Sequence, residues 1–388
     1  MKISMIEMVS SHGGMNYYDF GLMMGLGRLG HDVTLYTSEP LLFDITSNKN
    51  LKVNLAYKGL FGTKNKFLML LHYIKGTFKS LNDSRRRKVK IIHFQIYAIT
   101  YLESFVVWLT KKMGFKLIVT IHDVESFNKQ NRKKLTSFFY NSVDKIIVHN
   151  NVSYNTILNI IEEYSNSEEI KTKCNIIPHG SYIGMLPKKM EKHAAKKVFN
   201  LENDTFTFLF FGQIKKVKGL DILLKAYSKF LKKTNKKVKL IIAGKVWKDD
   251  AEIYDKIIQE ENLKNDLIMD IKYIPDSDIV KYYSAADCIV LPYKKIFQSG
   301  VLLMAQSYKV PVIVSDLPGM TEIVENLKNG FIFESESVDD LVISMEKVIS
   351  CDDLNSICEN AYNKLLEKYN WDVIAEKQAA VMWDMLNE

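Results

Sequence analysis

The sequence predicts an α/β protein built from two doubly wound, parallel-sheet domains in tandem. Short apolar runs alternate with helix-period segments along the chain, which is typical of parallel strands covered by helices. The chain has 388 residues, enough for two domains with full cores. All-β and all-α folds are therefore excluded.

The apolar runs that predict strands fall into two groups. The first group covers residues 2–9, 31–36, 89–94, 117–121, 145–148 and 175–177. The second group shows the same alternation and covers residues 206–211, 238–243, 267–273, 288–291 and 312–314. Because open parallel sheets bind ligands beyond the carboxyl ends of their strands, we expect the functional site in a cleft where two such sheets face each other.

A polar, Lys-rich stretch after Pro178-His179-Gly180 predicts the connection between the domains. We therefore expect a first domain over residues 1–180, a connection over 181–203 and a second domain over 204–366. A helix predicted over 367–388 would return to the first domain.

Composition excludes several classes of protein. Hydrophobic residues make up 47% and charged residues 25%, so a fibrous or disordered chain is excluded. The four cysteines form no Cys-x-x-Cys pair and have no histidine at ligand spacing, so we expect no metal site and a reducing compartment. The first residues do not resemble a secretory signal, and no apolar run is long enough to span a membrane. We therefore expect a cytoplasmic protein.

Positive charge is concentrated in residues 58–90, which contain ten Lys and Arg residues and one acidic residue, while the whole chain carries +8. Apolar residues recur there at spacings of four and three, on one face of a predicted helix: Phe67, Leu71, Ile74, Phe78 and Leu81. Such a helix can lie on an anionic membrane surface, or pack on the first sheet with its lysines in solvent. Nucleic acid is not expected, because aromatic residues are not interleaved for base stacking.

The first strand runs into Gly13-Gly14, and a helix pattern follows. Glycines allow a backbone to approach a ligand, and the start of a helix favours negative charge. A tight strand-to-helix turn explains the two glycines equally well, because they form no dinucleotide fingerprint. Asn16 and Asp19 in the predicted helix, and Asp123 further along the chain, are candidates for contact with an acceptor.

His122 and Asp123 directly follow the apolar strand 117–121. Side chains at this end of a parallel strand project into the expected cleft, where they can form hydrogen bonds with sugar hydroxyls. The alternative for His122 is a hydrogen bond to a neighbouring backbone carbonyl. The same structural explanation is preferred for His149 and His179, which also follow strands.

In the second half, Gly212 and Gln213 follow a strand, and three lysines precede Gly219 and a helix. Lysines at the start of a helix form a binding site for phosphate, and of the three we favour Lys218. A further loop reaches a helix start at four consecutive residues: Ser299, Gly300, Val301 and Leu302. The backbone N–H groups of the last three can hold a diphosphate without an arginine.

Together these motifs resemble the GT-B glycosyltransferases of family 4, which are retaining and metal-independent. The resemblance covers nearly the whole chain and rests on the order and spacing of its pieces. These are Gly13-Gly14, Gly30-His31-Asp32-Val33, Thr120-Ile121-His122-Asp123, Ile177-Pro178-His179-Gly180, Phe211-Gly212-Gln213, Lys218-Gly219, Ala243-Gly244, Tyr282-Tyr283-Ser284-Ala285-Ala286-Asp287, Pro311-Val312-Ile313-Val314-Ser315-Asp316, Pro318-Gly319 and Glu322.

The resemblance implies a role for each matching residue. Gly14 would lie near the donor phosphates, His122 near the transferred sugar, and Lys218 would stabilise the leaving nucleotide. Tyr273 and Ile274 fall where the nucleotide base is usually held. Positive charge and aimed N–H groups would stabilise the charge that develops on the diphosphate as the sugar–phosphate bond breaks.

The sequence departs from the family pattern at three positions. Gln213 stands where the family has a phosphate-binding arginine, and Ile296 and Met304 stand at the two glutamates of the EX7E motif. Because the second glutamate commonly holds the ribose hydroxyls, recognition of ribose must come from elsewhere or be weaker.

The sequence thus predicts a retaining glycosyltransferase that needs no cofactor. It would move a sugar from a nucleoside diphosphate donor to a hydroxyl of a glycan in bacterial surface polysaccharide synthesis, and we expect that glycan to be lipid-linked. One alternative is a non-catalytic partner subunit that kept the fold. Another is a sugar-nucleotide epimerase of the same architecture.

Overall fold

The computed structural model describes two compact units, and each is presented by itself. The first unit comprises Met1–Gly180 and Lys368–Glu388, and the second comprises Ser181–Glu367. The structure describes residues 1–8, 15–43, 48–60, 65–124, 133–162, 167–247 and 251–387.

The first unit contains a seven-stranded parallel sheet with the order β3-β2-β1-β4-β5-β6-β7. Its strands are β1 (Lys2–Ile6), β2 (Asp32–Tyr36), β3 (Leu51–Asn54), β4 (Ile91–Ile96), β5 (Lys116–Ile121), β6 (Lys145–Val148) and β7 (Cys174–Ile176). The central strands are buried on both faces, which explains their continuous apolar runs. Strands β2 and β3 are added on one side of β1, and β4 to β7 are added on the other side. Open parallel sheets bind ligands where the direction of strand addition changes in this way, here between β1 and β4.

The first unit's described helices are α1 (Met15–Arg28), α2 (Lys66–Arg86), α3 (Tyr101–Lys112), α4 (Lys133–Ser142), α5 (Asn151–Glu162), α6 (Ser167–Lys173) and the C-terminal α15 (Trp371–Asn387). Helix α15 packs against α1. The Trp371 ring packs directly against the backbone of Gly21 and Gly180. A Cβ at either position would collide with the ring. Gln378 of α15 also donates a hydrogen bond to Tyr18 Oη at 3.1 Å.

The second unit contains a six-stranded parallel sheet with the order β10-β9-β8-β11-β12-β13. Its strands are β8 (Phe206–Phe211), β9 (Val238–Ala243), β10 (Leu267–Asp270), β11 (Cys288–Leu291), β12 (Val312–Ser315) and β13 (Phe331–Phe333). Its described helices are α7 (Lys192–Val198), α8 (Leu220–Leu231), α9 (Glu252–Glu260), α10 (Asp276–Ala285), α11 (Gly300–Ser307), α12 (Pro318–Thr321), α13 (Val338–Ser350) and α14 (Leu354–Lys368). The two parallel, Rossmann-like sheets confirm the predicted fold class.

The stretch 181–203, predicted as a connection, carries helix α7 and lies in the second unit. Helix α7 is held to α10 and β11 by ion pairs: Lys192 and Lys196 each contact Asp287, at 2.7 and 3.1 Å. Lys196 is buried, and it also donates to the Thr205 carbonyl at 2.7 Å. Several lysines of this stretch therefore hold the second unit together.

No helix among the described residues is both long enough and apolar enough to cross a bilayer.

Candidate functional site

The start of α11 lies in the loop after β11, at the carboxyl edge of the second sheet. Ser299 caps the helix, since its Oγ accepts a hydrogen bond from the Leu302 N–H at 3.3 Å. Within the described part of the chain, the N–H groups of Gly300 and Val301 donate no hydrogen bond. The predicted backbone site thus reduces to two available N–H groups, because the Leu302 N–H is already used by the cap.

Two other segments approach this helix start. A Cβ at Gly300 would lie 2.7 Å from Tyr182 Oη, so the absence of a side chain at Gly300 leaves the Tyr182 hydroxyl next to the helix. A Cβ at Gly212 would lie 3.4 Å from Val301 Cγ2, which places the end of β8 beside α11. Sequence analysis missed Tyr182, because it is over a hundred residues away along the chain.

The lysine favoured from sequence closes a 3₁₀ turn, Lys216–Lys218, which leads into α8. Gly219 follows in the left-handed conformation with φ 68°, and a Cβ there would lie 1.8 Å from the Pro292 carbonyl oxygen. Only glycine fits this position. The turn is therefore fixed against the segment that leaves β11.

The Lys218 ammonium lies over the face of Tyr293, with Nζ 3.6 Å from the ring centroid. Among the described residues it forms no ion pair with a carboxylate. Burial lowers the pKa of Lys218 to about 7, and the neighbouring charge of Lys215 contributes to the decrease. A half-buried ammonium without an anionic partner gains stability from an anion that binds beside it.

Tyr293 connects this lysine to the helix start. Its side chain is 1% exposed, and its hydroxyl has no hydrogen-bond partner among the described groups. Burial raises the pKa of Tyr293, and the nearby Ser299 hydroxyl offsets part of that rise. A buried hydroxyl without a partner is costly, and a bound oxyanion would accept its hydrogen bond. Nothing in the local sequence distinguishes Tyr293 from a core tyrosine.

The residues predicted to contact the nucleotide base lie after β10. Tyr273 is 65% exposed, whereas Ile274 is buried. Strand β10 ends at Asp270, three residues earlier than predicted, so both residues belong to the loop that leads into α10. Gln213 is exposed.

His122 lies at the end of β5 in the first unit, within a chain of hydrogen bonds. Its Nε2 is 2.8 Å from Gln95 Oε1, and its Nδ1 is 3.2 Å from His149 Nε2. His149 Nδ1 is in turn 3.0 Å from the Ile177 carbonyl oxygen. His149, assigned from sequence to a structural role, thus contacts the candidate catalytic histidine.

Burial holds both imidazoles neutral. It lowers the pKa of His122 well below its usual range, with help from the neighbouring histidines, and it lowers the pKa of His149 to about 3. Because the Ile177 carbonyl only accepts, the His149 proton is on Nδ1, and His149 Nε2 accepts from His122 Nδ1. His122 Nε2 then carries a lone pair, for which Gln95 supplies an amide donor once its nitrogen faces the ring.

The candidate acceptor residues Asn16 and Asp19 lie in α1 and are each 1% exposed. Burial raises the pKa of Asp19, and the charge of Glu7 raises it further. Glu7 follows β1, is fully buried, and accepts a hydrogen bond from Tyr97 Oη at 3.4 Å. Sequence analysis missed Glu7, although an acidic residue directly after the apolar run of β1 was a usable signal.

Three further residues named in the sequence analysis are Asp123, His179 and Gly14. Asp123 follows His122 and is exposed. His179 Nδ1 is 2.6 Å from the Gly180 carbonyl oxygen. Gly14 lies outside the described residues. Among the described residues, no group of three His, Cys, Asp or Glu side chains is arranged to hold a metal ion.

Two family models match the chain. Residues 191–364 match "Glycosyl transferases group 1", and residues 79–158 match "Glucosyltransferase 3-like, N-terminal domain". The chain thus carries a glycosyltransferase group 1 domain, which lies in the second unit and confirms the predicted class of enzyme.

Several known proteins are similar to this chain, some over most of its length and others over about half of it. Uncharacterized glycosyltransferase MJ1607 of Methanocaldococcus jannaschii is 22% identical, over 95% of this chain and 94% of its own. Capsular polysaccharide biosynthesis glycosyltransferase CapM of Staphylococcus aureus is 26% identical, over 56% and 57%. Among solved structures, HepE of Anabaena in complex with UDP superposes with a TM-score of 0.72 at 16% identity, over 99% of this chain and 100% of that one. This last likeness supports the GT-B fold.

Proposed function

We propose that this protein transfers a sugar from a nucleoside diphosphate donor to a hydroxyl group of a glycan, with retention of configuration, as in family 4. The observation that carries the proposal is the cluster at the start of α11. There the Lys218 ammonium lies over the Tyr293 ring, and the Tyr293 hydroxyl lies near Ser299. Ser299 caps the helix whose first two N–H groups, among the described residues, donate no hydrogen bond. Each of these groups offers a proton or a positive charge, and none is matched by a carboxylate.

This cluster has the chemistry that a leaving diphosphate requires. Cleavage of the bond between sugar and phosphate places negative charge on the diphosphate, and groups fixed in advance stabilise that charge without reorganising. Lys218 and the dipole of α11 supply positive charge, so the proposed reaction needs no metal ion. Tyr273, exposed in the loop after β10, is available to contact the base.

In the first unit we assign His122 to the transferred sugar. Its neutral imidazole and the exposed Asp123 stand at the carboxyl end of β5, where hydrogen bonds to sugar hydroxyls are favoured. Asn16, Asp19 and Asp123 are proposed for the acceptor side, together with Glu7, which lies beside Asp19. The product we propose is a bacterial surface polysaccharide, which agrees with the name of the staphylococcal relative, CapM.

The experiment is a hydrolysis and binding assay on the purified chain with UDP-, GDP- and dTDP-sugars. We expect one nucleotide class to raise the melting temperature and to be hydrolysed slowly, and we expect Lys218→Ala to abolish both effects. Lys225→Ala is the matched control, since Lys225 is an exposed lysine of the adjoining α8. A protein that binds no nucleotide would instead be a non-catalytic subunit, as the absence of ionisable groups at Ile296 and Met304 allows. Conversion of the donor without an acceptor would indicate an epimerase.

A further inference from the structure

Helix α2 buries only part of the apolar face that its sequence predicts, because Leu81 is buried whereas Phe67 and Phe78 are exposed. Its buried residues are Tyr73, Gly76, Thr77, Ser80, Leu81 and Ser84, a face of mostly small side chains. The hydroxyls on this face bond to carbonyls one turn earlier: Thr77 to Tyr73 at 2.9 Å, Ser80 to Gly76 at 2.8 Å and Ser84 to Ser80 at 2.7 Å. Because these hydroxyls are satisfied within the helix, the small face can pack against the sheet.

Large apolar side chains of α2 are consequently left at the surface. Phe67 is 66% exposed and Phe78 is 41% exposed, and Leu68 and Leu70 are exposed as well. Beside them runs a polar stripe whose members recur at spacings of four, three and four: Lys75, Lys79, Asn82 and Arg86. All four are exposed, so α2 presents apolar and basic side chains together.

Helix α3 adds a second exposed stripe, which consists of Tyr101, Phe105, Trp108 and Lys112. The three aromatic residues are 68%, 41% and 43% exposed, and the Phe105 and Trp108 rings stack with centroids 5.8 Å apart. A soluble helix normally shows polar residues on this face. The sequence analysis missed this stripe.

The two helices lie side by side on one face of the first sheet. Their buried side chains join one hydrophobic core, and residues of both line the groove between them, among them Phe78 of α2 and Phe105 of α3. The exposed residues of α2 and α3 include six cations, Lys66, Lys75, Lys79, Arg85, Arg86 and Lys112, and no acidic residue. Within the described residues, none of the six forms an ion pair. We call the exposed face of these two helices the α2–α3 surface.

We propose that the α2–α3 surface binds an anionic lipid bilayer. Exposed aromatic rings are stabilised in the interfacial region of a bilayer, and lysine and arginine side chains are attracted to anionic headgroups. Charge favours this occupant over a second copy of the chain, because two copies would place six unpaired cations against six. The proposal does not depend on the proposed transferase activity, since vesicle binding requires no donor.

The test is sedimentation of the purified chain with vesicles. We expect it to sediment with phosphatidylglycerol vesicles at low salt, to be released by high salt, and to remain in solution with phosphatidylcholine vesicles. We expect Phe105→Ser/Trp108→Ser and Lys75→Glu/Lys79→Glu each to reduce binding at least tenfold. The matched controls are Trp383→Ser and Lys368→Glu/Lys377→Glu, which change exposed residues elsewhere in the first unit and should bind like the wild type.

Trp108→Phe provides a second measurement that does not depend on polar substitutions being tolerated. This variant should still bind phosphatidylglycerol vesicles, but it should lose part of the blue shift that the wild-type tryptophan emission shows on binding. Equal sedimentation with neutral vesicles, or wild-type binding by both double variants, would overturn the proposal. A lipid-free dimer that Phe105→Ser/Trp108→Ser converts to a monomer would also overturn it, by showing that a second copy covers the surface.

Discussion

At the scale of single residues, the most consequential feature is the environment of Lys218. An ammonium over an aromatic ring, without a carboxylate partner, is neither a surface lysine nor a structural ion pair. Its pKa, lowered to about 7, makes its charge depend on what binds beside it.

This pKa predicts how donor binding varies with pH. Below pH 7 the free protein carries a protonated Lys218, and above pH 7 it progressively loses that charge, while the diphosphate of a sugar nucleotide stays fully ionised. Affinity for the sugar nucleotide should therefore fall as pH rises through 7, by up to about tenfold per pH unit. Calorimetric titrations from pH 6 to pH 9 measure this. Lys218→Arg keeps its charge and should give a flat profile; a wild-type profile equally flat would contradict the assignment.

His149 predicts a second effect, on turnover. Replacing it by Phe removes the acceptor of the His122 Nδ1–H, so the fixed tautomer of His122 is lost. A neutral hydrogen bond contributes about 1 kcal/mol, so we expect kcat to fall about five- to tenfold with little change in KM for the donor. His149→Gln retains an acceptor and should recover much of kcat. Loss of activity that tracks only the melting temperature in both variants would indicate a merely structural role.

At the scale of elements, we expect the cap of α11 to contribute both to the stability of the fold and to nucleotide binding. A matched pair of helix caps distinguishes the two contributions. Ser299 caps α11 and Ser337 caps α13, and each accepts a backbone N–H at 3.3 Å. Ser299→Ala and Ser337→Ala should each destabilise the protein by about 1 kcal/mol, measured by denaturant unfolding. Only Ser299→Ala should also weaken nucleotide binding. Equal binding by both variants would exclude the Ser299 hydroxyl from the site.

Most strands were predictable from sequence, since buried parallel strands form continuous apolar runs. The two that sequence analysis missed, β3 (Leu51–Asn54) and β13 (Phe331–Phe333), are short strands at the edges of their sheets. An edge strand has a neighbour on one side only, and its apolar pattern is correspondingly weak. These two strands are therefore defined by their pairing with a neighbouring strand rather than by their local sequence.

The orientation of α2 was not predictable from hydrophobic periodicity. The apolar stripe beginning at Phe67 left open whether α2 packs on the sheet or lies on a membrane. In the structure Leu81 of that stripe is buried, but most of the buried face consists of small residues around Gly76 and Ser80. Periodicity weighs side chains by hydrophobicity and does not register hydroxyls bonded within the helix.

The candidate site was predictable from sequence only in part. Lys218 and Gly300 follow from local motifs, whereas Tyr182 and Tyr293 reach the site only through tertiary folding.

At the scale of the whole molecule, each unit repeats one architecture and uses it differently. The second unit concentrates groups that bind an anion at the carboxyl edge of its sheet. The first unit places neutral histidines and a buried carboxyl pair at the corresponding edge, and it carries the α2–α3 surface. This division suits a donor site in the second unit and acceptor recognition in the first.

A crystal structure of the protein with a bound nucleoside diphosphate tests the proposed donor site most directly. We predict phosphate oxygens within hydrogen-bond distance of Lys218 Nζ and of the N–H groups of Gly300 and Val301, with Tyr293 Oη as a further donor. Phosphates bound at any other place in the second unit, with the start of α11 unchanged, would contradict it.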